Sequence, residues 1–123
     1  MNNRFKFRVW DKLAKRMIYP HNDNQQHFII DLNGRFHNLQ NGSGGDDYVI
    51  QQYTGLMDSN EKEIYEGDII EMTYDHIIER GFVVWENNSY ILKTIGEDSY
   101  APLVIFPKDK VIGNIFENKE LLK

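Results

Sequence analysis

Apolar and polar residues alternate with a period of two near the start of the chain, over residues 5–10. Because successive side chains of a β-strand point to opposite faces, the apolar residues of this run share one face, and the cations and Trp10 share the other. A polar turn follows at 11–16, and the apolar run 17–19 returns before Pro20. This pattern predicts a β-hairpin of half-buried strands.

Short apolar runs recur along the rest of the chain, separated by turn residues. Asn33-Gly34 lies between the runs 28–32 and 35–39, and it predicts a hairpin because the central residues of a type I′ turn need positive φ. Asn118 is expected to cap a final helical turn at 119–122. The other predicted strands share this short apolar pattern and lie at 48–53, 63–65, 69–74, 82–85, 90–95, 103–106 and 111–116.

The absence of a long 3.6-residue apolar period predicts an all-β chain of short antiparallel strands and hairpins. We expect one domain over residues 1–123, with N-terminal hairpins in 1–47 and a small, SH3-like barrel in 48–118. Residues 40–47 carry no apolar side chain and are predicted to form a flexible loop. The expected core positions are Phe7, Val9, Ile50, Ile64, Ile70, Met72, Val84, Leu92, Val104, Ile112 and Ile115.

The composition of the 123 residues narrows the class of protein. There is no cysteine, so disulfides, thiolate chemistry and cysteine-based zinc sites are excluded. No apolar run approaches the roughly 20 residues that span a bilayer. The first residues also lack the apolar stretch of a signal peptide. The expectation is a cytoplasmic protein with no membrane partner.

The net charge of −5 is unevenly distributed. Residues 1–19 hold six basic side chains and one acidic one, whereas residues 48–71 hold six acidic side chains and one basic one. These two segments are expected to attract each other, either within one chain or between copies. Our hypothesis is a homo-oligomer in which the basic first hairpin contacts the acidic segment. The acidic total argues against strong non-specific DNA binding.

A calcium loop is the first chemistry that the acidic segment suggests, at residues 58–60. An EF-hand loop starting at Asp58 is contradicted at three positions. Lys62 occupies the third ligand position, Glu63 replaces the required glycine, and Ile69 stands where the bidentate glutamate belongs. The run is therefore predicted to form an Asx turn between strands.

Metal binding by histidine and phosphate binding by a glycine-rich loop also have little support in the sequence. His21, His27 and His37 lie near one another in the sequence but lack a recognised zinc spacing, so they are expected to be solvated. The glycine-rich run 42–47 lacks a P-loop lysine and ends in two aspartates, which would repel phosphate. We therefore predict no metal ligands and no cofactor.

Four acids, at positions 63, 66, 68 and 71, suggest a metal-dependent hydrolase. Asp68 and Glu71 fall on opposite faces of a strand, because their separation is odd. A charged rim or a protected sheet edge explains the acids more simply. We assign no catalytic residues and favour a protein that is not an enzyme, with metal-dependent cleavage lost in Asp68→Ala as the test of the opposite view.

The first hairpin is the predicted binding surface. Cations beside a stackable ring hold single-stranded nucleic acids, as small barrels often do. The alternative is that Phe5 and Phe7 are core residues and that the cations only solvate an edge strand, which the acidic total favours. The residues assigned to this surface are Arg8, Trp10, Lys12 and Arg16.

Three segments together resemble the YopX family of bacteriophage and prophage proteins. They are 7–11 with the return strand 16–18, the central stretch 52–70, and the ending 111–118 with 121–122. Two departures are small: Glu61 follows Asn60 where a turn glycine is usual, and Lys119 stands where proline is common. The resemblance implies an all-β YopX-like fold, a phage or prophage gene and expression inside a bacterial cell. It supplies no reaction and no functional residues.

The favoured function is therefore a non-catalytic binding module for a host or phage protein. Single-stranded nucleic-acid binding through the first hairpin and metal-dependent hydrolysis are the alternatives.

Overall fold

The computed structural model describes residues 4–20 and 27–123. His21 and most of the polar loop predicted at 21–27 lie outside the described residues. No helix among the described residues is long and apolar enough to cross a membrane.

Three antiparallel sheets are described. Strands β1 (Phe7–Asp11), β2 (Arg16–Ile18), β5 (Tyr48–Met57) and β6 (Glu63–Tyr65) form the first sheet, in the order β2-β1-β5-β6. Strands β3 (Phe28–Ile30) and β4 (Phe36–Asn38) form a separate hairpin. The five-stranded sheet, in the order β10-β9-β8-β7-β11, contains β7 (Asp68–Tyr74), β8 (Ile77–Glu86), β9 (Ser89–Thr94), β10 (Tyr100–Pro102) and β11 (Lys110–Asn114).

The all-β prediction is confirmed. The curled antiparallel sheets form a half-barrel, and helical structure in the described part of the chain is limited to isolated 3-10 turns. One of these, Gly45–Asp47, lies in the segment predicted to be a flexible loop. Another is the predicted final turn, Lys119–Leu122, which begins after Asn118.

The predicted hairpin around Asn33 and Gly34 forms, but with a different turn. Gly34 has φ +79°, whereas Asn33 is not left-handed, so the turn is not type I′. The Asp31 carboxylate instead accepts the backbone N–H groups of Asn33 and Arg35. A five-residue turn stabilised by an aspartate therefore joins β3 to β4.

The core is divided between the sheets. Val9, Ile18 and Phe36 form a small cluster beneath the first sheet. The larger cluster fills the half-barrel and consists of Ile64, Ile70, Met72, Val83 and Leu92.

Most predicted core positions are at least half-buried, and two need correction. Val104 is 51% exposed. Val83 rather than Val84 is in the core, because Val83 lies opposite Leu92 on the inner face of the half-barrel. Alternation along 82–85 does not distinguish the two valines, since residues on both faces of that strand are apolar. The positions confirmed as buried are Val9, Ile64, Ile70, Met72 and Leu92.

The strand predicted at 103–106 is wrong. Strand β10 ends at Pro102, and the Leu103 N–H donates to the Tyr90 carbonyl at 3.2 Å. Leu103 and Ile105 pack against the larger core cluster, while Val104 is exposed. The alternation in this segment therefore reflects a chain that covers the core without pairing as a strand.

Candidate functional site

Arg8 lies between the two larger sheets and not on the surface. Its guanidinium is 2.7 Å from the Asp68 carboxylate, donates through Nε to Gln51 at 2.7 Å, and donates through the second amino group to the Glu66 carbonyl at 3.0 Å. The Arg8 residue is 2% exposed. The prediction that Arg8 belongs to a binding surface is therefore wrong. Strand β1 is covered on both faces, and strict alternation cannot reveal this.

Two aromatic rings complete the surroundings of Arg8. The guanidinium carbon lies 5.0 Å from the centre of the Tyr65 ring and 5.9 Å from that of Tyr19. Burial raises the pKa of Asp68, although the adjacent Arg8 charge opposes that rise. Burial also raises the pKa of Tyr65. Arg8 and Asp68 therefore form a desolvated ion pair beside two aromatic rings. The pair has a structural role, because ligands have little access to it.

The remaining acids of the central segment do not converge. Glu63 pairs with Lys6, and Glu71 lies 3.4 Å from Arg80. Asp68, the acid whose substitution tests the hydrolase alternative, is 1% exposed. Within 4–20 and 27–123, no group of three or more histidine, aspartate or glutamate side chains is arranged to hold a metal ion. The basic N-terminal segment and the acidic segment 48–71 do contact each other within one chain, through the Lys6–Glu63 and Arg8–Asp68 pairs.

Asp58 forms the predicted Asx turn. Its carboxylate accepts N–H groups from Asn60 at 2.8 Å and Lys62 at 2.9 Å, and its second oxygen accepts the Val111 N–H at 2.8 Å. Burial raises the pKa of Asp58, but these three hydrogen bonds lower it, and the net direction is down. Asp58 therefore attaches the end of β5 to β11.

A cleft beside Trp10 is the best candidate for a binding site. The Trp10 and Phe116 rings stack with their centres 5.8 Å apart and their planes inclined by 28°. The cleft has a volume of about 570 Å³. Its other lining residues are charged: Lys12, Lys15, Glu117, Lys119 and Glu120.

The turn between β1 and β2 positions one wall of this cleft. The Asp11 carboxylate accepts the N–H groups of Leu13 at 3.1 Å and Ala14 at 3.0 Å. The Lys12 N–H donates to the Asp47 carbonyl at 2.9 Å, and Lys15 adopts φ +54°. Lys12 and Lys15 are therefore presented from a turn held by hydrogen bonds.

A second turn, after β11, positions the opposite wall. The Asn114 side-chain oxygen accepts the N–H groups of Phe116 at 3.0 Å and Glu117 at 2.8 Å. The Asn118 side chain accepts the Asn114 N–H at 3.1 Å instead of capping the last 3-10 turn. The Gly67 carbonyl accepts the Ile115 N–H at 2.9 Å, which brings Phe116 against the first sheet.

Of the four residues predicted for the binding surface, the structure brings Trp10 and Lys12 together at this cleft. Arg16 is exposed, but it lies opposite Asp11 in the sheet, on the face that Trp10 does not share. Sequence reasoning missed Phe116 and Lys119. Phe116 lies in the family-like ending 111–118 and Lys119 directly follows it, and neither position carries a binding pattern of its own.

These features define an all-β half-barrel with a buried arginine–aspartate pair and an aromatic cleft lined by charged residues. The chain belongs to the YopX family: the family profile described as YopX protein matches residues 6–123. The YopX protein of Bacillus subtilis is similar over 100% of both chains, with a TM-score of 0.67 and 20% identity, which shows the shared fold. Protein EF1440 from Enterococcus faecalis is 28% identical, with a TM-score of 0.59, over 96% of this chain and 97% of its own. A search of curated proteins found no match.

Proposed function

We propose that this YopX-family chain is a non-catalytic binding module for a protein of the bacterial host or of a phage. It is the product of a phage or prophage gene and acts in the cytoplasm of the host cell. The cleft beside the stacked Trp10 and Phe116 rings carries the proposal, because it combines aromatic rings with charges of both signs.

The composition of the cleft suits a polypeptide ligand. Aromatic side chains in a concave site anchor many protein interfaces, and charged residues at the rim select the partner. The volume of about 570 Å³ is large enough for one or two side chains of a partner. The charged rim adds specificity, since a partner must match lysines and glutamates together.

Single-stranded nucleic acid is the second candidate, because Trp10 lies beside Lys12 and Lys15. The same cleft also contains Glu117 and Glu120. Their carboxylates repel closely spaced phosphates. A protein partner is therefore the better fit to this site.

Capture from a bacterial lysate with the tagged chain, compared between variants by quantitative mass spectrometry, tests the proposal. We expect a protein enriched by the wild-type chain to be lost with Trp10→Ala and with Lys12→Glu. Trp85→Ala is the matched control, because Trp85 is exposed and lies outside the cleft. Lys12 is also exposed, so Lys12→Glu separates loss of binding from loss of folding.

Two results would overturn the proposal. One is equal enrichment by the wild-type chain and both cleft variants. The other is salt-sensitive binding of a labelled oligo-dT that Trp10→Ala abolishes, together with loss of every captured protein after nuclease treatment. The second result would assign the cleft to single-stranded nucleic acid.

A further inference from the structure

The turn between β1 and β2 exposes five consecutive residues, 12–16, next to the Trp10 cleft. The cations of this turn are Lys12, Lys15 and Arg16, and Leu13 between them is 77% exposed. We call residues 12–16 the basic tip. It is a concentrated positive feature on a chain whose net charge is −5.

Cations without an acidic partner are concentrated at the basic tip. Five cations elsewhere each form a salt bridge: Lys6, Arg8, Arg80, Lys93 and Lys110. The other described cations without a salt bridge are spread along the sequence, at Arg4, Arg35, Lys62, Lys108 and Lys123. Among residues 4–20 and 27–123, Lys12, Lys15 and Arg16 form no salt bridge with any other residue, and neither does Lys119 in the adjoining cleft. Four positive charges are therefore available for carboxylates from outside the chain.

The backbone of the basic tip is fixed before any partner arrives. Asp11 accepts two N–H groups of the turn, and the Lys12 N–H donates to the Asp47 carbonyl. A site whose backbone is already ordered loses less entropy on binding than a mobile loop does. The fixed turn also keeps Leu13 in solvent, where its side chain is an apolar contact between cations.

We propose that the partner presents an acidic, extended segment that carries apolar side chains. Its carboxylates pair with the basic tip and Lys119, and one of its apolar side chains packs against Leu13. A second apolar side chain enters the cleft beside the Trp10–Phe116 stack, where Glu117 and Glu120 repel a carboxylate as they repel a phosphate. This inference rests on the proposed function and names the chemistry of its partner. Charge complementarity carries it, together with the exposed leucine, since phosphates alone do not use an apolar contact.

Fluorescence anisotropy with the full chain and three labelled probes tests the proposal. The first probe is a peptide of alternating glutamate and leucine with one tryptophan. The second replaces every glutamate by glutamine, and the third is an oligo-dT of the same net charge as the first. We expect the acidic peptide to bind with an affinity that falls as salt rises, and at least about tenfold more tightly than either other probe.

Charge reversal at the basic tip provides the matched variants. Lys12→Glu with Lys15→Glu is expected to weaken binding of the acidic peptide by about tenfold or more. Arg35→Glu with Lys108→Glu changes the net charge equally, at exposed positions outside the tip and the cleft, and is expected to leave binding within about twofold.

The inference is overturned by no binding of the acidic peptide at millimolar concentration, by equal binding of the glutamine peptide, or by equal losses in the two double variants. Tighter binding of oligo-dT than of the acidic peptide would overturn it in favour of nucleic acid. If the acidic peptide fails while lysate capture still depends on Trp10, the proposed function stands and only the chemistry of the partner is wrong.

Discussion

Arg8 joins the two larger sheets through a single guanidinium group. Its three donor nitrogens contact Asp68, Gln51 and the Glu66 carbonyl, so its hydrogen-bonding capacity is directed into the protein. Arginine suits this position better than lysine, because its planar fork satisfies several acceptors at once. The pair is also buried, and the loss of one charge leaves the other without a counter-ion in a desolvated site.

The Arg8–Asp68 pair supports a prediction about stability. Arg8→Ala is expected to lower the free energy of unfolding by about 3–5 kcal/mol, because the Asp68 charge loses its partner. Urea denaturation followed by circular dichroism measures this change. Arg8→Met combined with Asp68→Asn removes both charges. Its loss of unfolding free energy is expected to be smaller than the summed losses of Arg8→Met and Asp68→Asn measured singly. Additive costs would show that the two side chains do not act as a pair.

Asp58 supports a prediction about acid stability. Its hydrogen bonds hold its pKa in the folded chain below the ordinary value of 3.8. Between the folded and unfolded pKa values, Asp58 is protonated in the unfolded chain but ionised in the folded chain. The contribution of Asp58 to the free energy of unfolding therefore rises with pH over that range. The contribution is complete above 3.8 and is lost as the pH falls through the folded pKa. The stability advantage of the wild-type chain over Asp58→Asn should therefore be constant near neutral pH and shrink in acid. An advantage that grows in acid would contradict this assignment.

At the scale of elements, tight turns determine how closely the C-terminal segment approaches the first sheet. Gly67 lies between β6 and β7 with φ +86°, and a Cβ atom there would stand 3.0 Å from the Phe116 ring. Gly34, in the β3–β4 turn, has a similar φ of +79° but nothing within 4 Å of an added Cβ. Alanine substitution at Gly34 therefore measures backbone strain alone, whereas the same substitution at Gly67 adds crowding against Phe116.

Gly34→Ala is expected to cost about 1–2 kcal/mol, from the left-handed backbone alone. Gly67→Ala is expected to cost about 1–3 kcal/mol more, because Phe116 must also move. Unfolding in urea gives both values. The emission of Trp10, which stacks on Phe116, should change with Gly67→Ala and not with Gly34→Ala. Equal costs for the two variants would show that the contact with Phe116 is unimportant.

Local sequence predicted the strands and turns better than the contacts between residues that are distant in the sequence. Most strands and the hairpin around Gly34 follow from alternation and turn residues, which act over a few positions. The burial of Arg8 depends on a contact with residue 68, and no local pattern contains that information. The same holds for the Trp10 cleft, because the position of Phe116 beside Trp10 depends on the pairing of β11 with β7, which is distant in the sequence. The segment 103–106 shows the converse, since it has the pattern of a strand but does not pair as one.

At the scale of the whole molecule, association between copies stays a prediction. Lys6 and Arg8 already pair with acids of the same chain, so the basic tip is the part of the first hairpin left to contact another copy. Such a contact rests on charge, and salt should weaken it. Light scattering across a salt series is expected to give a mass above that of one chain at low salt and a smaller mass at high salt. The mass of a single chain at both low and high salt would contradict the homo-oligomer hypothesis.

The two larger sheets should unfold as one unit. Arg8 bonds to Asp68 between them, the Val111 N–H of β11 donates to Asp58 beside β5, and both contacts are buried or half-buried. Trp10 lies in the first sheet and stacks on Phe116, whereas Trp85 lies in the five-stranded sheet. Trp10 therefore reports on the first sheet and its contact with the C-terminal segment, and Trp85 reports on the five-stranded sheet.

Trp85→Phe leaves Trp10 as the fluorescent reporter of the first sheet, and Trp10→Phe leaves Trp85 as the reporter of the five-stranded sheet. In each variant, the urea midpoint from fluorescence is expected to coincide with the midpoint from far-ultraviolet circular dichroism, because a cooperative unit loses both signals together. Comparison within one variant removes the effect of the substitution itself on stability. A Trp10 transition that precedes the loss of circular dichroism would show that the first sheet separates before the half-barrel unfolds. In that case the Arg8–Asp68 pair would join two independent units instead of stabilising one.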